Sequence, residues 1–159
     1  MRPGFHHFLW PLVLWAACSP SQGSVSGTWR GSIRDTVTCN PCRALYGFSL
    51  RESRDRAITG IMAADVSFEH DAASGAARVH GARTGDTVDI LFLPVQPETR
   101  PQGRQGIKGV LDPDGRSIRA ELWFAPRDTT AREQRLPIIL VRAELDSALV
   151  ALLSEAKVQ

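Results

Sequence analysis

The chain is poor in lysine, tyrosine and methionine. Lys108 and Lys157 are its two lysines, Tyr46 its single tyrosine, and Met62 its one methionine after Met1. The 19 basic residues are therefore nearly all arginine, and they are interleaved with 17 acids to leave a net charge of +2. So small an excess, spread along the chain, offers no electrostatic footprint for a nucleic acid, and none is expected as a partner. Cysteine is scarce too. Cys18, Cys39 and Cys42 are too few for a disulfide framework or a four-cysteine zinc site. No apolar run reaches the ~20 residues that cross a bilayer as a helix.

What is present suits one soluble domain. The 159 residues are 43% hydrophobic and 23% charged, enough to bury one core but not comfortably two. The first residues stand apart. Arg2 precedes the short apolar run 8–15, and Ala16 and Ala17 lead to Cys18. This pattern resembles a bacterial lipoprotein signal, with Trp15 in the place usually held by leucine. The resemblance implies a signal peptide over 1–17 and Cys18 as the lipidated first residue of the mature chain. Ser19 at the next position is similar to the pattern of outer-membrane sorting. Residues 18–24 are small and polar and read as a tether. The protein is thus expected to be exported, as an outer-membrane lipoprotein facing the periplasm or cell surface, or otherwise secreted.

From Val25 onward the hydrophobic period is two. Val25, Gly27, Trp29, Gly31 and Ile33 share one face, and Ser26, Thr28, Arg30 and Ser32 the other, the signature of a strand with one buried side. The same alternation marks strands around 46–51, 58–68, 77–82, 88–92, 107–111, 118–124 and 136–142. Eight strands joined by turns predict an all-β fold, an up-and-down antiparallel β-barrel over 25–142. Leu145, Leu149, Leu152 and Ala156 then follow helical spacing, so 143–159 is expected as an amphipathic helix lying on the outside of the sheet. Trp123 falls on the polar face of its strand and is expected to meet that helix.

The connections sort by length. Those near 53–56, 83–86 and 112–115 read as tight turns, and those near 34–45, 69–76, 94–105 and 125–135 as long loops. In a meander the two sets lie at opposite ends, which predicts a barrel with one pinned end and one open mouth. The candidate lining of that mouth is Arg43, Tyr46, Phe68, Phe92 and Phe124. The strands read as short, so the interior is expected to be small or filled by side chains.

Gly27-Thr28-Trp29 at the head of an eight-stranded meander resembles the Gly-x-Trp motif of lipocalins. In that family the tryptophan closes the bottom of the barrel and an arginine at the end of the last strand packs over it. The resemblance assigns Gly27, Trp29 and Arg142 to the barrel base, and implies a small apolar or amphipathic ligand. The second lipocalin motif is not reproduced, so no particular ligand carries over.

Other constellations bear on chemistry. Cys39-Asn40-Pro41-Cys42 resembles the Cys-x-Pro-Cys of thioredoxin-like oxidoreductases, whose thiolate needs a helix directly afterwards. Here Tyr46, Phe48 and Leu50 alternate as a strand, which favours a structural disulfide between Cys39 and Cys42 and leaves thiol redox as the remaining enzymatic alternative. Cys39, Cys42, His70 and His80 lack the spacing of a compact zinc site. His70 and Asp71 near Ser67 or Ser74 lack a nucleophile elbow. No catalytic residue, metal or cofactor is expected. The leading expectation is an exported, lipid-anchored lipocalin-like binder. The alternative is a filled barrel serving as a structural or protein-interaction module of the envelope.

Overall fold

The structure, a computed structural model, describes residues 23–35, 42–67, 72–94, 103–127 and 132–158. Eight strands follow one another: β1 (Gly27–Asp35), β2 (Cys42–Glu52), β3 (Ala57–Ser67), β4 (Ala72–Thr84), β5 (Thr87–Pro94), β6 (Gly103–Leu111), β7 (Ser117–Pro126) and β8 (Gln134–Arg142). Each pairs antiparallel with the next, and β8 returns to β1, so the sheet closes into an all-β barrel with α1 (Ser147–Val158) after it. The register keeps the apolar phase of each strand inside. Trp29 faces Phe48, Phe48 faces Met62, Ile90 faces Ile107 and Ile118 faces Leu140. A slip of one residue would turn each of these outward.

The closing ladder is short. Only Trp29 with Arg142 and Arg30 with Val141 are registered between β1 and β8. The backbone N–H of Arg142 donates towards β7, to the Arg116 carbonyl. By alternation Pro137 turns its imide nitrogen towards β1, where it has no hydrogen to give. Side chains cover the gap instead: Leu140 and Ile138 lie so close over Gly31 that a Cβ there would fall 2.6 Å from Leu140 Cδ2.

The strands are longer than their alternation suggested, eight to thirteen residues. The largest departure is the expected loop at 69–76. β4 starts at Ala72, and Ser67 is already paired with Ala72. Ala72, Ala73, Ala76 and Ala77 carry too little side chain to show a hydrophobic period, although their backbone pairs with β3 throughout. Residues 34–35 and 42–45 likewise extend β1 and β2, and 104–105 belong to β6.

α1 is capped by Asp146, whose carboxylate accepts the Leu149 N–H at 3.0 Å. Leu149 and Leu153 are buried against Ala63 of β3, flanked by Ile61, Leu145 and Leu152. The buried stripe therefore runs through Leu153; the side chain of Ala156 lies outside the described residues. The helix covers β2, β3 and β4. Trp123 is on β7, beyond its reach, and packs instead on the backbone of Gly106 with the Arg104 guanidinium 6.0 Å from its ring centroid.

Candidate functional site

At the end where β1 begins and β8 finishes, the barrel is plugged. Trp29 is fully buried, and its indole Nε1 donates to the Val25 carbonyl at 2.8 Å. The Arg142 guanidinium lies 4.4 Å from the ring centroid, a cation–π stack. Its Nε donates to the Gly115 carbonyl and its Nη1 to the Ser26 carbonyl, both at 2.6 Å, and Nη2 donates to the Ser24 carbonyl. Gly27 leaves room for this. Its φ is +132°, and a Cβ would come 2.6 Å from Arg142 Nη1. The three residues assigned to the base from sequence thus meet at one point.

A second cluster at the same end lies outside the residues expected from sequence. Glu52 closes β2 and Arg83 approaches the end of β4, and both point inward in phase with Leu50 and Val79. Their side chains are 4% and 0% exposed and form an ion pair at 2.8 Å. Glu52 also accepts from the Val25 N–H (2.9 Å), Ser24 Oγ (3.0 Å) and Arg56 Nη1 (3.2 Å). Burial pushes its carboxyl up, but the hydrogen bonds from Arg83, Val25 and Ser24, with the charge of Arg83, outweigh burial and hold it below its ordinary value. Arg83 Nη1 donates to the Gly85 carbonyl at 3.0 Å, while Nη2 has no partner among the described residues. The signal for this pair was available in the sequence: each charge sits where the alternation demands an inward residue.

The turns below the cluster are tight. Residues 53–56 hold Ser53 N–H to the Ala57 carbonyl, with Arg56 at φ +68°. Gly85 and Asp86 make a two-residue hairpin, Gly85 at φ +60°. Residues 112–116 close β6 to β7, with Asp112 accepting from Ser117 Oγ and from Arg119.

The interior changes towards the other end. Phe48, Ile58, Val79, Val88, Ile90, Ile107, Ile118 and Leu140 fill the lower barrel and expose nothing. Further up, the inward-facing Tyr46, Leu122 and Phe124 are half-buried, and Leu136 is 37% exposed although its register puts it inside opposite Leu122. Phe92, still 9% exposed, links the two zones through a tilted contact with Phe48, 6.0 Å between centroids. Burial pushes the Tyr46 hydroxyl up, so it stays a neutral phenol.

Of the expected mouth residues, Tyr46, Phe92 and Phe124 do share this upper interior. Arg43 does not. It is exposed and one place out of phase with the inward Ala44, on the outer face, because period two leaves no alternative. Phe68 lies outside the described residues, as do Cys18 and Cys39. Cys42 opens β2, so the chain leaves the Cys-x-Pro-Cys segment as a strand and not as a helix whose N-terminus could stabilise a thiolate.

Outside the barrel, a groove of about 300 Å³ on β5–β8 is lined by Trp123, Arg104, Lys108 and Arg135 with Asp89 and Glu133. Its charges largely satisfy one another, Lys108 with Asp89 at 3.7 Å and Arg135 with Glu133 at 2.7 Å. No family model, curated protein or solved structure matches the chain. The likeness to lipocalins therefore rests on barrel topology and the arrangement at the base.

Proposed function

We propose that this chain is an exported, lipid-anchored lipocalin-like protein that binds a small apolar or amphipathic molecule in the open half of its barrel. The observation that carries this reading is the graded interior. Among the described residues, the large apolar side chains that face inward stay partly uncovered towards one end, with Leu136 at 37% above a floor of fully buried ones. An apolar ligand entering there would take Tyr46, Leu122, Phe124 and Leu136 out of water at ~25 cal/mol per Å² covered. Titration with a fluorescent fatty acid tests it. Saturable binding is expected, weakened about tenfold by Phe124→Asp, a loss near 1.4 kcal/mol. Ile139→Asp on the outer face should leave it unchanged. Absence of saturable binding by the folded protein overturns the reading.

A second reading has its own observation. Val110, Ile139 and Val141 on the outer faces of β6 and β8 are 45%, 58% and 44% exposed, on the side that α1 leaves bare. A filled barrel that docks a protein partner would use this strip. Ile139→Asp would then abolish the association and spare any lumen binding.

A further inference from the structure

The chain enters the barrel at the plugged end and is held there twice. On one side Arg142 binds the carbonyls of Ser24 and Ser26. On the other, Glu52 accepts from Ser24 Oγ and the Val25 N–H. Gly23 itself packs so closely on Gly115 of the β6–β7 turn that a Cβ would meet Gly115 Cα at 2.9 Å. The segment therefore has no slack from Gly23 onward.

Five residue steps separate Cys18 from Gly23. Fully extended they span at most about 18 Å. The barrel is taller. β2 has 11 residues, and at ~3.3 Å per residue with a tilt of about 40° it rises roughly 25 Å from base to rim. A stance with the mouth on the bilayer would lift Gly23 farther from the lipid surface than the tether can reach. The base, by contrast, presents exposed Arg54, Asp55, Asp114 and Arg116, charges of both signs suited to a layer of zwitterionic and anionic headgroups.

We infer that the anchored barrel stands base-down on a phospholipid surface, its mouth turned away from the leaflet that holds Cys18, and that ligand passes between the mouth and the aqueous compartment. This rests on the lipid anchor in the function proposed above. It assigns the Gly23–Ser26 clamp the task of setting the stance, and it denies the mouth direct access to the anchoring leaflet.

The test uses the full, acylated chain in vesicles of phosphatidylethanolamine and phosphatidylglycerol that carry a nitroxide on the headgroup. A single fluorophore is attached at Arg54→Cys near the base or at Ser67→Cys near the rim, in a Cys39→Ser, Cys42→Ser background. Quenching is expected to be several-fold stronger at position 54 than at 67. A long Gly-Ser insertion between Ser21 and Gln22 should reduce that difference by freeing the stance. Equal quenching, or stronger quenching at 67, in protein that floats with the vesicles overturns the orientation and leaves the binding reading intact. A chain without the acyl mass at Cys18 that does not float overturns the anchor and the orientation together, while fatty-acid titration still reports on the lumen.

Discussion

The two ends of this barrel solve opposite problems. At the base an indole, a guanidinium and a buried ion pair are locked to backbone carbonyls and to one another, and the side chains above them expose nothing. Towards the mouth the same alternation continues, but Tyr46, Phe124 and Leu136 keep water-facing surface. Burial sets the stability of a fold, and uncovered apolar surface is what a ligand can still claim. The difference teaches that packing and charge close the barrel where the chain enters and leaves, while the opposite end keeps the apolar surface that the binding proposed above would use.

Four substitutions probe that division, and the largest effect should come from Trp29. Trp29→Ala empties the base and should cost about 3–5 kcal/mol in urea denaturation. A loss as small as that of a mouth substitution would erase the contrast. Glu52→Gln comes next. It leaves the Arg83 charge buried without its counter-ion, at about 3 kcal/mol. The same variant reports on pH. The folded pKa of Glu52 lies below its ordinary 4.5, so its contribution is complete above that value and disappears as pH falls through the folded pKa. Wild-type melting temperature should drop in that acid range, and part of the drop should vanish in Glu52→Gln. Arg142→Ala removes the stack and three donated hydrogen bonds and should cost about 2 kcal/mol. Smallest is Leu136→Ala, about 0.5–1 kcal/mol in stability because the side chain is already partly hydrated. Its loss of fatty-acid affinity should exceed its loss of stability, a reversal that no base substitution should show.

Much of this was legible in the chain. The order of strands, their closure and the C-terminal helix follow from a hydrophobic period that switches from two to 3.6 after Arg142. The meeting of Gly27, Trp29 and Arg142 could be read because the last strand of a closed meander must run back past the first. Strand ends were less visible. Ala72 to Ala77 have no large side chains to carry a period, so a strand there reads as a loop, and the contrast between long and tight connections narrows accordingly. Glu52 and Arg83 are hidden in the sequence because charge suggests solvent, although their phase puts them inside. Trp123 differs from expectation for the converse reason. Its alternation puts it outward, as it is, but which outer face the helix covers depends on packing over Gly47 and Ala63, and a one-dimensional pattern does not report that.

The brief ladder between β1 and β8 has a further result. A cylinder of strands comes apart where the fewest bonds must break together, and here that is a pair of residues on each side, bordered by an imide that cannot donate. Transient unzipping should start above these pairs, towards the rim, and amide exchange at Ser32 and Ile139, on the stretch with no registered partner across the seam, should outrun that at Gly60 and Val79, deep in the β3–β4 ladder. Each such event would split the wall lengthwise from the rim side, and a ligand bound as proposed above would then have a way through the flank as well as through the top.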